Sequence, residues 1–244
     1  LLPDPLSKVA SAFSNENELL IQPSKDGVLV ITLESPVAPG AVVDIKLHYS
    51  LFFNLIMQSL HGDRRLSISD DEIVCAAPDW LPLLLVNKDR FETSEDCRCP
   101  SDFAIQLPNN FSVYASGMLA SKATTDQGTR HSYTNADTNL AHIQFVARTS
   151  SDTRICTDNY DVVLSIPDST TNSQQLDHIA DVVSTGMRRM STWLGEVPFR
   201  EISVVFNKGD QCQGLGPLLM IGRFFNADHL DLDRRVMGLR TLQE

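Results

Sequence analysis

The sequence is poor in cysteine, has no long uncharged hydrophobic run and has no excess of positive charge. Five cysteines in 244 residues are too few, and odd in number, for a disulfide-stabilised scaffold. No uncharged apolar run reaches the ~18 residues that a transmembrane helix needs, so no membrane span is predicted. A net charge of −11 disfavours nucleic-acid binding, because an acidic surface repels the phosphate backbone.

Several motifs of reactive sites are also missing. The chain has no H-E-x-x-H zinc helix and no G-x-S-x-G nucleophile elbow. The glycines of residues 209–216 lack the Lys of a phosphate loop and the third Gly of a dinucleotide fingerprint. Cys97-Arg98-Cys99 has no His nearby, so we interpret it as two loop thiols or as one thiol bridged to Cys75. The sequence therefore identifies no catalytic residue and no metal ligand.

The chain ends and one sequon bear on origin and compartment. Residues 1–5 contain neither a start Met nor a signal peptide, so we expect a fragment or a processed product. Asn110-Phe111-Ser112 is an N-glycosylation sequon, which is weak evidence for secretion because such triplets arise often by chance. The compartment stays open, with a preference for the cytoplasm.

The first part of the chain, residues 1–150, is predicted to form an antiparallel β-sandwich or open barrel of seven or eight short strands. β-branched runs and alternating apolar residues predict strands at residues 27–33, 43–49, 103–107, 111–119 and 142–147. Residues 111–119 are expected to pair with residues 103–107 across an Asn-rich turn. Residues 121–139 are rich in Thr, Asp, Asn and Ser, so we expect a long loop with one strand near Tyr133.

The second part, residues 151–244, is predicted to be a smaller α+β domain. Strands are expected at residues 161–166 and 201–206, on either side of a helix that opens at the capping pair Asn172 and Gln175. The helix has one apolar stripe at spacings of three and four: Leu176, Ile179, Val183, Met187, Met190 and Leu194. Gly195 follows as a left-handed cap. We place a domain boundary near residue 150.

Three short motifs occur in a characteristic order along the chain. They are Trp80-Leu81-Pro82, the stretch from Leu107-Pro108 to Ser116-Gly117, and Leu194-Gly195-Glu196-Val197-Pro198-Phe199. With the strands and the helix around them, they resemble the aminopeptidase N-like family of zinc metallopeptidases. The resemblance implies a mainly β fold, in which a saddle-like N-terminal sandwich precedes an incomplete thermolysin-like domain.

The resemblance also implies a role for Gly214, Leu215, Gly216 and Pro217. In the family, an edge strand in this region pairs with the substrate backbone, and a Glu on it binds the free α-amine by charge-assisted hydrogen bonds. No Glu occurs here, and Pro217 has no N–H to offer a strand ladder. We expect these four residues to take the position of the substrate strand without its amine-binding chemistry.

The zinc motif of the family is expected on the following helix, which residues 231–244 could begin. Either H-E-x-x-H lies beyond residue 244, or Gln243-Glu244 stand where His-Glu should be and the first zinc ligand is lost. In both alternatives this chain has no complete metal site and no cofactor of its own, although zinc is possible in the parent protein.

Three functions are compatible with these patterns. The first is a non-catalytic portion of an aminopeptidase-like protein, with a structural or protein-interaction role. The second is the N-terminal part of an active zinc-dependent aminopeptidase whose metal site lies beyond residue 244. The third is an adhesion or carbohydrate-binding sandwich with an α/β appendage. For the first two, the expected partner is the rest of the parent protein or another protein chain, which would cover exposed apolar surface.

Overall fold

The computed structural model describes residues 7–23, 29–51, 66–75, 85–87, 92–93, 98–139, 143–149, 152–157, 160–166, 173–196, 199–206 and 213–221. Strands β1 to β14 precede residue 150. They are β1 Ser7–Ser14, β2 Asn17–Glu18, β3 Leu20–Pro23, β4 Leu29–Thr32, β5 Lys46–Leu51, β6 Leu66–Ile68, β7 Glu72–Cys75, β8 Leu85–Asn87, β9 Glu92–Thr93, β10 Arg98–Leu107, β11 Ser112–Ala115, β12 Met118–Thr125, β13 Gly128–Asn139 and β14 Phe145–Arg148.

These strands form antiparallel sheets. The two that build the core are a four-stranded sheet in the order β11-β14-β7-β6 and a three-stranded sheet in the order β10-β13-β12. A further three-stranded sheet, β2-β1-β5, and the two-stranded ribbons β3-β4 and β8-β9 complete the first part of the described chain.

The second part contains one helix and a mixed five-stranded sheet. Its elements are β15 Thr153–Cys156, β16 Asp161–Ser165, α1 Ser173–Leu194, β17 Glu201–Phe206, β18 Gln213–Leu215 and β19 Leu218–Ile221. The sheet has the order β15-β16-β17-β19-β18, with β16, β17 and β19 parallel and the two outer strands antiparallel to their neighbours. Helix α1 supplies the crossover that the parallel pair β16–β17 requires. The predicted mainly β fold, an antiparallel sandwich followed by a small α+β portion, is confirmed.

Strand β14 lies between two hydrophobic cores. Phe145 and Ala147 face the three-stranded sheet and pack in a cluster with Ile105 and Tyr133. Val146, which points the opposite way because strand side chains alternate, is fully buried on the other side. Its cluster contains Val74 and Tyr114 from the four-stranded sheet and Val163, Val205, Leu218 and Met220 from the five-stranded sheet.

The five-stranded sheet is therefore covered on both faces. One face packs on the four-stranded sheet, and the other packs on α1 through Ile179, Ala180 and Val183. Burial of this apolar helix stripe stabilises α1 more than its intrinsic propensity does. The helix ends at Leu194, and Gly195 takes φ 93°, which is the left-handed cap that the sequence predicts. The division of the chain near residue 150 stays a prediction, since one core cluster contains residues from both sides of it.

Arg148 forms a buried ion pair within the first part of the chain and also bonds to the second part. Arg148, at the end of β14, lies directly opposite Glu72 in the β14–β7 ladder, and its Nε donates to Glu72 Oε1 at 2.7 Å. Arg148 Nη1 donates to the main-chain oxygen of Ser165 in β16 at 3.2 Å. Both side chains are almost completely buried, so each charge depends on the other for compensation.

Two predictions about the first part are wrong. Residues 121–139 are not largely a loop, because β12 and β13 form a long antiparallel hairpin there. Almost all of β12 is exposed, so its sequence lacks the apolar alternation that reveals a strand. Strand β11 pairs with β14 and not with residues 103–107, since β10 pairs with β13 instead.

The cysteine bridge is also corrected. Cys75 is a free thiol in the core between β-sheets, where burial raises its pKa to about 12. Several other predictions, on Trp80-Leu81-Pro82, Cys97, Asn172 and residues 231–244, fall outside the described residues.

No helix among the described residues combines the length and the apolar character that a membrane span requires.

We predict that Arg148→Ala lowers the free energy of unfolding by about 3 kcal/mol or more, because it leaves the Glu72 carboxylate buried and unpaired. The matched control is Arg154→Ala, since Arg154 pairs with Glu201 and Asp161 in an exposed position. That change should lower the free energy of unfolding by less than about 1 kcal/mol. Urea denaturation measures both, and equal effects of the two variants would contradict the burial of the Arg148–Glu72 pair.

Candidate functional site at the edge of the five-stranded sheet

The four residues that the sequence singled out form the tip of a hairpin. Gly214 and Leu215 belong to β18, and Gly216 and Pro217 make the two-residue turn into β19. Leu215 pairs with Leu218 and Gly214 pairs with Leu219. Gly216 has φ 53°, and a positive φ at the first turn position is the conformation that tight hairpins require.

Strand β19 is held from both faces. Leu218 and Met220 are buried against the four-stranded sheet, whereas Ile221 belongs to the core under α1. The ladder to β17 begins with a hydrogen bond of 2.7 Å from Ser203 N to Pro217 O. Pro217 lies in the turn rather than within β18, so its missing N–H removes no donor from that strand, contrary to the expectation from the sequence.

Strand β18 is the outer strand of this sheet among the described residues. Because the two-residue turn makes Leu215 and Leu218 a hydrogen-bonded pair, the N–H and C=O of Gly214 point away from β19. Gly214 is exposed, and a Cβ placed on it would meet only Leu219 Cδ1 at 3.5 Å. A second polypeptide can therefore reach the backbone of Gly214 without a steric barrier from this residue.

The turn of the hairpin touches the first part of the chain. A Cβ on Gly216 would lie 2.5 Å from the main-chain oxygen of Ser116, which follows β11. Ser116 is itself fixed by Gln144, with hydrogen bonds from Ser116 N to Gln144 O at 2.9 Å and from Gln144 N to Ser116 Oγ at 3.0 Å. No local sequence pattern marks Ser116, because its proximity to Gly216 comes from the packing of one sheet on another.

A second polar contact lies at the start of the second part. The hydroxyl of Tyr114 in β11 donates to Asp152 Oδ1, just before β15. Burial raises the pKa of the Asp152 carboxyl, and a hydrogen bond from Ser112 opposes this shift. The contact ties the segment that leaves the sandwich to the same strand that precedes Ser116.

Several solved structures have a fold similar to that of this chain. The first match is a two-domain M1 zinc metallopeptidase mutant bound to L-arginine, with a TM-score of 0.65 at 14% sequence identity over 90% of this chain and 51% of that one. An M1 zinc metallopeptidase from Deinococcus radiodurans matches with a TM-score of 0.62 at 14% identity, over 88% of this chain and 50% of that one. The chain has the fold of the N-terminal part of the M1 zinc metallopeptidases.

The similarity covers nearly all of this chain and about half of each matched structure. A mutant of the Deinococcus radiodurans enzyme bound to a Tyr-Ser-Ala substrate aligns with 97% of this chain and 53% of that one, with a TM-score of 0.61 at 15% identity. At such identities the match establishes the fold that the two proteins share. No family model and no curated protein sequence matches the chain.

A zinc site requires several His, Cys, Asp or Glu side chains close together. No group of three or more His, Cys, Asp or Glu side chains is placed to hold a metal ion in the part of the chain that the structure describes. The hairpin segment 213–218 has no carboxylate, imidazole or thiol. At this edge strand the described residues offer backbone hydrogen-bonding groups.

We predict that Gly216→Ala destabilises the fold by about 2 kcal/mol or more, because the residue has a positive φ and its Cβ would collide with the Ser116 oxygen. Gly214→Ala is the matched control in the same hairpin, and its effect should stay within about 0.5 kcal/mol. Urea denaturation of both variants provides the comparison. If Gly216→Ala were as stable as the unchanged chain, the hairpin turn would not contact Ser116 as described.

Proposed function

We propose that this chain is a non-catalytic portion of an aminopeptidase-like protein, in which it has a structural and protein-interaction role. The supporting observation is the position of the β18–β19 hairpin, which packs on the first part of the chain through Leu218 and Met220 and touches Ser116 at its turn. This packing holds an exposed edge strand in a defined place. The fold shared with M1 zinc metallopeptidases supports the aminopeptidase-like origin.

The interaction is proposed to occur by strand addition at β18. An extended polypeptide can pair with a sheet edge through main-chain hydrogen bonds, and Gly214 turns its N–H and C=O toward that edge. Segment 213–218 has no carboxylate that could fix an ammonium group. The segment itself should therefore recognise a peptide backbone without a preference for a free amino terminus.

The alternative is that the chain is the N-terminal part of an active zinc-dependent aminopeptidase whose metal site lies beyond residue 244. The observation that favours it is that the matched structures are zinc metallopeptidases of about twice this length. Zinc, when bound in such a protein, would polarise the scissile carbonyl and activate water. In that protein, β18 would align the peptide backbone and the sandwich would support the hairpin.

The metal content of the longer parent protein separates the two proposals, and that of this chain tests the first. We predict that the purified chain of 244 residues contains well below one zinc ion per molecule and does not hydrolyse aminoacyl anilides, because no donor set for zinc occurs among its described residues. Elemental analysis and an anilide assay measure both. Stoichiometric zinc with hydrolysis in this chain would contradict the non-catalytic proposal. The same result in the longer parent protein would establish the alternative.

Peptide binding tests the role of β18. We predict that Gly214→Pro weakens binding of an extended peptide about fivefold or more, since proline removes the N–H that faces the edge. Gly214→Ala keeps that N–H and should bind like the unchanged chain. Fluorescence anisotropy with a labelled peptide library, in free and N-acetylated forms, provides the affinities. Equal loss in both variants, or no peptide bound by the unchanged chain, would remove strand addition at β18 from the proposal.

A further inference from the structure

The outer hairpin β12–β13 extends beyond the sandwich core. Tyr133 of β13 is buried in that core, whereas the residues of β12 that face the same way are exposed. The face of β12 on the same side of the sheet as Tyr133 is thus exposed. We call this exposed face of β12, next to the sandwich core, the ledge. This ledge lies on the three-stranded sheet and is independent of the β18–β19 hairpin.

Four polar side chains form one group at the ledge, with Lys122 and Thr124 exposed on β12 and Thr129 and His131 buried on β13. Lys122 lies directly opposite His131, and Thr124 lies directly opposite Thr129, in the β12–β13 ladder. Directly opposite residues place their side chains on the same face of a sheet, and so do residues two apart on one strand. Lys122, Thr124, Thr129 and His131 consequently form a compact group of two by two side chains.

The hydroxyl groups of the ledge satisfy one another. Thr129 Oγ1 donates to Asn109 Oδ1 at 2.8 Å. Because that bond uses the Thr129 proton, Thr124 Oγ1 is the donor in the 3.2 Å hydrogen bond between the two threonine hydroxyls. A hydroxyl has only one proton to donate, so this chain of bonds uses both hydroxyl donors. The donors of the group that can serve a ligand are those of Lys122 and His131.

His131 is the unusual member of the group. Its side chain is buried, with 3% exposure, and its Nε2 has no hydrogen-bond partner among the described residues. Burial, and then the nearby Lys122 charge, lower the pKa of the imidazole below its ordinary value of 6.5, so the ring is neutral at neutral pH. An unpaired polar atom in a buried position is unfavourable unless another group satisfies it.

Lys122 is a cation with no ion-pair partner among the described residues. Its side chain is exposed. Lys122 lies directly opposite His131 in the ladder, and its long flexible stem lets the ammonium group reach a ligand beside the ring. A cation beside a neutral hydrogen-bond donor is suited to an anion.

We propose that Lys122 and His131 form a binding site for a small oxyanion, the group common to a phosphate and a carboxylate. The Lys122 ammonium supplies the charge, and the His131 Nε2–H supplies a directed hydrogen bond. No bond is made or broken in this binding.

The test is a titration of the complete chain with sodium phosphate against sodium chloride at constant ionic strength and neutral pH. The ring nitrogen resonances of His131 should shift in a saturable manner, and the melting temperature should rise with phosphate. A parallel titration with sodium acetate distinguishes the sources of the oxyanion. Saturation by both salts assigns a general oxyanion site, saturation by one assigns that class, and no saturable shift with either overturns the proposal.

Two matched variants separate the site from general surface charge. Lys122→Gln should weaken the saturating anion about tenfold, since it removes a charge-assisted contact. Arg130→Gln removes the same charge from the neighbouring position of β13, whose side chain points to the opposite face, and should leave the affinity unchanged. Equal weakening by the two variants would mean that the anion responds only to net charge, which would overturn the site.

Discussion

The structure depends on the double burial of strand β14. One face of the strand places Phe145 and Ala147 in the core of the sandwich. The other face places Val146 in the core between the four-stranded and five-stranded sheets. The strand ends in Arg148, whose guanidinium pairs with Glu72 and also reaches the Ser165 oxygen. A strand with two apolar faces and a buried charge at its end can satisfy all of these groups only when sheets are present on both sides.

This packing has a direct consequence for the edge strand. The hairpin β18–β19 is packed on the four-stranded sheet, because Leu218 and Met220 belong to the same buried cluster as Val146. The absence of a Cβ at Gly216 lets the turn approach Ser116 closely. The sandwich therefore sets where the edge strand lies.

The sequence predicted elements whose own pattern is strong. The apolar stripe of α1, its glycine cap and the buried strands β16 and β17 were all visible, since each depends on periodicity or on a β-branched run. It failed for β12 and β13, whose polar residues suggested a loop, and for the partner of β11. Exposure hides the alternation of an edge strand, and the pairing of strands distant in sequence leaves no local pattern.

The amino-acid sequence by itself determined the fold class, the helix and its cap, and the absence of charged groups from residues 213–218. Only the tertiary structure decided that Pro217 lies in a turn, that Ser116 meets Gly216, and that Lys122 lies opposite a buried His131. The physical reason is that periodicity and turn chemistry act over a few residues. The contacts that build these sites instead come from sheets packing on one another and from the register of long strand pairs.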